Sequence, residues 1–371
     1  MFKKIDHLNL INTYSVSNVG DAAIYATLIQ MSQEQGISCV SAPFLLESVA
    51  QLKSQLGQGF KQSNNLESVH VAVGGDIFNN YRPHLITKQF IKNLSQLSKK
   101  PKNTILFGQS IPRSCRGVSF SLLCCQLKKL SSVIVRDQES FNRLQQAGVN
   151  AKLSYDSVFA ATTHENHSEL IKDYYQQTFD NLALLSLRSF DHLYPHDNQR
   201  FLYQLSLLID RLKIEGFRVG VILQSNVNSN DSDIAMINAL QKRTSVEVID
   251  PFAIQSQLPS LLPWQITQAF VANAKLVFGV RYHTVIFRLL AGKMPFNLFY
   301  SNKGEDLSNR IGVPGCSVND FSVEQDFQRI LDTQTQNFNV QVIADQVKDD
   351  FSRALHRIQP NESIYGRKVA C

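Results

Sequence analysis

The six cysteines of this 371-residue chain, Cys39, Cys115, Cys124, Cys125, Cys316 and Cys371, form no C-x-x-C pair, which argues against a zinc site. No stretch reaches the roughly 18 apolar residues of a membrane-spanning helix. Met1-Phe2-Lys3-Lys4 runs into a segment with Asp6 and His7 instead of an apolar core, so no signal peptide is expected. The expected compartment is the cytoplasm, with reduced thiols. No run of five or more Lys/Arg occurs and no DNA- or RNA-binding motif stands out, so no nucleic-acid partner is expected. Repeats at solenoid periods and low-complexity segments are missing too.

What is present suits a folded α/β protein. Hydrophobic residues make up 43% of the chain, and its length suggests two domains. Charged residues are 18%, with a formal net charge of +6. This mild basicity fits an anionic substrate, or adhesion to an acidic membrane surface, better than dedicated nucleic-acid binding.

Apolar runs ending in glycine and polar residues recur along the first half. Leu8 to Tyr14 reads as a strand, followed by the turn Ser17-Asn18-Val19-Gly20-Asp21 and a helix from Ala22 to Gln35. Asn18, Gly20 and Asp21 suit a tight turn and a helix cap, and the same turn could hold a ligand. Val69 to Asp76, Thr104 to Ser110 and Ser132 to Asp137 repeat the theme, with Asp137 placed to cap a helix that stops at Gly148. A short strand over Ala151–Ser154 leads to Asp156.

Residues 161–178 read as a polar linker opening into a helix. His164 and His167 there lack the companions of a metal site. The pattern then restarts with strands at 181–188, 218–223 and 246–250, helices at 197–214 and 265–273, and a last clear strand at Pro295–Tyr300. The segment Asp191–Asp197 reads either as a lid or as an ordinary loop. Strands alternating with helices imply parallel sheets with right-handed crossovers. The polar and glycine residues fall at strand C-terminal ends, the edge that carries sites in open α/β sheets.

The stretch from Leu276 to Phe287 is the centre of this organisation. It reads as a strand, a turn at Gly279, then a helix start carrying Arg281 and His283. Helix N-terminal N–H groups favour anions, and arginine adds a planar fork for phosphate or carboxylate. Histidine exchanges protons near neutral pH. The alternative is that Arg281 pairs with a local carboxylate and His283 merely packs.

In their order, these motifs resemble the polysaccharide pyruvyl transferases. The matching pieces are Asn18-Val19-Gly20-Asp21, Gly74-Gly75, Gly108 to Pro112, Val135 to Ser140 with Leu144 and Gly148, and Asp156. Further matches are Ser186-Leu187-Arg188, Gly279 to Phe287, and Tyr300 to Lys303. The chain departs from the family pattern at Asp76, where a third glycine is usual, and at Ser157, where proline is usual.

The resemblance implies two Rossmann-like domains facing across a cleft, as in GT-B glycosyltransferases. Residues 1–160 would form the acceptor-side domain and 175–325 the phosphoenolpyruvate-side domain, with 326–371 as C-terminal helices and tail packing back. It implies transfer of a carboxyethylidene (pyruvate ketal) group from phosphoenolpyruvate to two hydroxyls of a glycan or lipid-linked precursor, in exopolysaccharide, capsule or cell-wall synthesis. Within that scheme Arg188, Arg281, Lys303 and Gly279 are the donor-binding candidates. His283 and Asp21 are the catalytic candidates, and Asn18, Gln109 and Arg136 the acceptor-binding ones, the alternative for Arg136 being a structural arginine at a strand end that bonds neighbouring loop carbonyls. No metal or organic cofactor is expected. Homo-oligomerisation and peripheral contact with the inner face of a membrane are left open. The alternatives are a nucleotide-sugar glycosyltransferase with Glu305 or Asp306 at the ribose, and an inactive scaffold.

Overall fold

A computed structural model describes residues 5–43, 60–61, 68–80, 82, 85–190, 197–227 and 232–358. Residues 191–196 of the lid-or-loop segment and the tail from Asn361 lie outside the described residues.

The first half runs β1 (His7–Ile11), α1 (Val19–Glu34), β2 (Cys39–Ser41), β3 (Phe60–Lys61), β4 (Val69–Ala72) and α2 (Lys88–Ser98), then β5 (Thr104–Gln109), α3 (Val118–Leu127), β6 (Ser132–Val135), α4 (Gln138–Gln146) and β7 (Lys152–Leu153). The second runs α5 (Glu165–Tyr175), β8 (Leu182–Ser186), α6 (Asn198–Ile214), β9 (Arg218–Ile222), α7 (Ile234–Gln241), β10 (Glu247–Ile249), α8 (Pro251–Gln257) and α9 (Pro263–Asn273). It continues with β11 (Leu276–Gly279), α10 (Tyr282–Leu290), β12 (Phe296–Phe299), α11 (Asn302–Ile311), β13 (Gly315–Ser317), α12 (Val323–Asp332) and α13 (Gln341–His356).

The sheets have the orders β3-β2-β1-β4-β5-β6-β7 and β10-β9-β8-β11-β12-β13. Both follow the doubly-wound sequence, so each reverses direction once, between β1 and β4 and between β8 and β11. The β8–β11 register sets Gly279 opposite Ser186, and β1–β4 sets Ile11 opposite Ala72. Helices cover both faces, which is why the central strands read as continuous apolar runs: all five residues of β8 and all six of β5 are buried.

One apolar cluster crosses from domain to domain. It joins Ile24 and Leu28 of α1 to Ile266 and Phe270 of α9 and Phe287 of α10. The last helix returns to the first sheet. The Phe351 ring packs edge-on against Phe107 of β5 with centroids 5.2 Å apart, and Asp350 pairs with Lys152. The expectation that Pro295–Tyr300 holds the last strand is corrected by β13. Three residues containing glycine and cysteine give no alternation to read, and β13 exists because Asn297, Leu298 and Phe299 offer it an edge.

His70 in β4 is buried, and among the described residues neither ring nitrogen has a hydrogen-bond partner. Burial, reinforced by Lys100 and Lys99, pushes its pKa from 6.5 down to about 4. The unfolded chain therefore binds a proton that the folded chain refuses between these values. The neutral ring's contribution to stability is complete above pH 6.5 and is lost as pH falls toward 4, by about 3 kcal/mol in total. His70→Leu is expected to flatten the stability–pH curve in that window, measured by urea denaturation. An unchanged slope would show that His70 is not its source.

Candidate functional site

Seven strand ends converge between the sheets. From the first domain, Asp76 follows β4, Gln109 and Ser110 close β5, Arg136 follows β6 and Asp156 follows β7. From the second, Arg188 follows β8, Arg281 and His283 follow β11, and Tyr300 to Lys303 follow β12. The loops entering α1 and α7 stitch the two edges together. Val19 N donates to the Gln224 carbonyl at 2.8 Å and Asn226 N to that of Ser17 at 3.1 Å, around an antiparallel bridge between Asn18 and Ser225.

A chain of charges spans the junction. His283 Nε2 lies 3.7 Å from Asp156 Oδ2, beyond hydrogen-bond reach, and among the described residues this buried atom has no hydrogen-bond partner. Asp156 also pairs with the buried Arg136 guanidinium. Arg136 Nε donates to Ser110 Oγ at 2.8 Å and its Nη2 to Asp76 Oδ1 at 3.1 Å. Asp76 Oδ2 then pairs with Lys303 Nζ at 2.6 Å across the junction. Tyr282 lies beneath both cations, 5.0 Å from Arg136 and 5.5 Å from Lys303.

This setting tunes the titrating groups. Burial would raise the Asp156 carboxyl, but the approach of His283 and the charge of Arg136 overcome it and hold it well below the usual carboxylate range. For His283, burial lowers the pKa below 6.5, Asp156 opposes that, and Arg136 and Lys303 reinforce it. The ring is thus mostly neutral at pH 7. A nearby carboxylate can steady an imidazolium formed in passing.

The remaining candidates divide. Arg281 pairs with a carboxylate, as in the alternative reading, but with one distant in sequence instead of local. Its Nε donates to Asp233 Oδ1 at 2.9 Å and to the Leu187 carbonyl at 3.2 Å. Arg188 donates through Nη1 to the Tyr300 hydroxyl at 2.6 Å and stacks on that ring. The two arginines stand at the ends of adjacent strands, on the edge where α10 begins. Asn18 caps α1, its Oδ1 accepting from Gly20 N at 3.0 Å and Asp21 N at 3.4 Å. Asp21 lies in that first turn, partly exposed. Gln109 is buried and donates to the Val73 carbonyl. Glycine at 279 lets β8 and β11 meet, since a Cβ there would collide with Ser186.

Sequence reasoning quoted Asp156 and Asp76 without assigning them this network, and missed Asp233. A turn of Asn, Ser and Asp residues gives no hint that one of them lies buried under Arg281. Among the described residues, no group of three or more His, Cys, Asp and Glu is placed to hold a metal ion. No described helix is long and apolar enough to cross a membrane.

The family model described as polysaccharide pyruvyl transferase matches residues 18–301. A search of curated proteins returned no significant match. Among solved structures, UDP-GlcNAc 2-epimerase from Methanocaldococcus jannaschii, in complex with UDP-GlcNAc and UDP, is similar at a TM-score of 0.61 and 10% identity, covering 94% of this chain and 99% of that one. The Neisseria meningitidis UDP-GlcNAc 2-epimerase bound to UDP-GlcNAc gives 0.56 and 11%, covering 94% and 99%. At these identities the likeness shows the two-domain GT-B-like fold alone.

Gly20 lies in the first turn of α1, directly under the His283 ring, and a Cβ there would collide with Nδ1. Its backbone is helical, so alanine costs nothing in conformation. Gly20→Ala is expected to push His283 off Asp156 and to lower turnover on the order of 100-fold, with an unchanged circular dichroism spectrum. Wild-type turnover in this variant would show that His283 placement is irrelevant to the reaction.

Proposed function

This chain belongs to the polysaccharide pyruvyl transferase family and is a transferase, and from that premise we propose that phosphoenolpyruvate is its donor. The acceptor in this reading is a sugar of a glycan or lipid-linked precursor, which gains a pyruvate ketal across two hydroxyls. One observation carries the proposal: Arg188, Arg281 and the N-terminus of α10 stand with His283 at the switch point of the second sheet, and Lys303 follows the next strand, β12, on the same edge. A donor with a phosphate and a carboxylate calls for several cationic forks and oriented N–H groups in one place.

The chemistry balances through one histidine. An imidazolium at His283 gives its proton to the enol methylene, leaving an oxocarbenium-like centre beside it. The first sugar hydroxyl adds there, and neutral His283 takes its proton. The second hydroxyl then displaces phosphate, which carries that hydroxyl's proton away, and the ring closes. The free enzyme disfavours the imidazolium, and the charge of the bound donor raises its population. Asp156 steadies it, while Asp21 orients the acceptor from the first domain; Arg136, buried and fully paired with Asp156, Asp76 and Ser110, positions these groups instead of touching the acceptor.

Arg281 is held by Asp233, so its removal would strand a buried carboxylate at a cost of about 3–5 kcal/mol. Arg188 and Lys303 are the cleaner probes. Asp76 already sits between Arg136 and Lys303, so an arriving donor anion must compete with it. The nucleotide-sugar alternative draws less support. Glu305 is engaged with Arg113 at 3.1 Å, and Asp306 with Gln138 N and Arg310 Nε, both at 2.9 Å.

Three measurements test this reading. In calorimetric titration with phosphoenolpyruvate, acceptor present, Arg188→Gln and Lys303→Gln are each expected to weaken binding about tenfold, about 1.4 kcal/mol. Binding of a nucleotide sugar with none of phosphoenolpyruvate would replace the proposal. Phosphate release by His283→Ala is expected to fall by about 10²–10⁴. If the imidazolium starts the reaction, kcat/KM falls with rising pH through a value below 6.5. Asp156→Asn removes the opposing carboxylate, so that limb should move to still lower pH; a move upward would count against the assigned pair.

A further inference from the structure

The positive charge of this protein is concentrated in one part of the chain. Residues 77–136 hold eleven Lys/Arg and no Asp or Glu, whereas the whole chain is only +6, leaving the remainder at −5. Arg136 and Arg113 are engaged in ion pairs of the site and its rim. Arg136 is buried in the charge chain, and Arg113 pairs with Glu139 and Glu305. Most of the others are exposed along the outer faces of α2 and α3 and the loops leading into them.

Helices α2 and α3 pack side by side on the first sheet. Phe90 and Leu97 of α2 and Leu123, Cys124 and Leu127 of α3 face the core. Their opposite faces therefore form one outward surface. Lys88, Lys92 and Lys99 lie on the α2 part, with Lys128 and Lys129 at the far end of α3, all exposed. Apolar side chains project from the near end. Leu85, just ahead of α2, is 63% exposed, and Val118, the first residue of α3, is 66% exposed. Ile91 and Leu122 stand one turn further along each helix and are also exposed. Arg82 and Arg116 flank this group in the two loops, which are tied by a hydrogen bond from Ser114 Oγ to Asn79 Oδ1 at 3.1 Å.

Both helices begin at the C-terminal edge of the sheet, so the apolar tips lie on the rim of the candidate site. Asp76 and Ser110 open the very loops that carry them. Basic side chains around exposed apolar ones suit a bilayer with anionic headgroups, where lysines meet phosphates and the tips enter the acyl boundary. A nucleic acid would answer the charge but not the apolar tips, and a protein partner would need an apolar patch ringed by acid, whereas an anionic bilayer offers both over any extent.

We infer that the α2–α3 face is a docking surface for an anionic lipid membrane, holding the mouth of the site against the headgroups. A lipid-carried acceptor would be met at that mouth. This last link rests on the proposed reaction; the docking itself does not.

Co-sedimentation of the full chain with vesicles tests it, comparing pure phosphatidylcholine with vesicles containing about 30 mol % phosphatidylglycerol. Binding is expected to the anionic vesicles alone and to weaken at about 0.5 M salt. Lys88→Glu/Lys92→Glu/Arg116→Glu should lower affinity about tenfold or more, and Leu85→Ser/Val118→Ser should lower it while leaving a salt-sensitive remainder. Lys172→Glu/Lys242→Glu/Lys275→Glu changes net charge equally at exposed sites elsewhere and should bind as wild type. All these residues are exposed, and circular dichroism checks that each variant folds. No binding by wild type, or equal loss in the two triple variants, overturns the inference. Tighter binding to duplex DNA through the same lysines would also overturn it. Phosphoenolpyruvate titration of the same proteins is read separately, so failure of the donor reading leaves the vesicle result intact.

Discussion

Burying the Arg136 guanidinium commits the rest of the site. An ion withdrawn from water must be paired and hydrogen-bonded on every side, and taking away one partner of such a pair costs about 3–5 kcal/mol. Arg136 meets the requirement with Asp156, Asp76, Ser110 Oγ and the Tyr282 ring. Its backbone carbonyl accepts from Arg310 at 2.7 Å. Tyr282 and Arg310 belong to the second domain, so the two domains together close the last sides of a cation whose ion pairs lie in the first. The same act places Asp156 beside His283 and Asp76 beside Lys303.

The geometry follows from two sheets of the same winding set edge to edge. Each has one reversal of strand order, and crossover helices leave a crevice there because they depart to opposite faces. When the two crevices face each other, short loops from seven strands reach a common space. Tight approach is then unavoidable: the start of α1 presses glycine against His283, and β11 presses glycine against Ser186. The apolar cluster running from α1 to α9 and α10 holds this junction from behind. The outward face of α2 and α3 belongs to the same plan, since both helices begin at the site edge.

Much of the first half could be read directly. The Asn18 cap, the Asp137 cap accepting from Ser140 N at 2.9 Å, and the buried runs of β4, β5 and β6 all follow from local rules. The turn Gly279–His283 carries its glycine and helix start in the sequence itself. Three short strands were not legible, although β7 and β10, equally short, were read from their neighbours. β2, β3 and β13 are three residues or fewer and exist only as partners to neighbouring strands. The pairing of Arg281 with Asp233 was foreseen in kind but not in partner, because 48 residues separate them.

The sequence by itself determined the alternation of strands and helices, and with it the parallel sheets and the edge on which polar residues gather. Those are consequences of local periodicity, capping and glycine placement, which a chain carries wherever it goes. Tertiary structure decided which of those polar residues meet. Asp76 reads as one carboxylate after two glycines, yet it joins Arg136 to Lys303. His283 reads as a free titrating group, yet burial lowers its pKa and Asp156, 3.7 Å away, opposes that shift. Charge–charge energies depend on distance and on exclusion of water, and both are properties of the assembled domains.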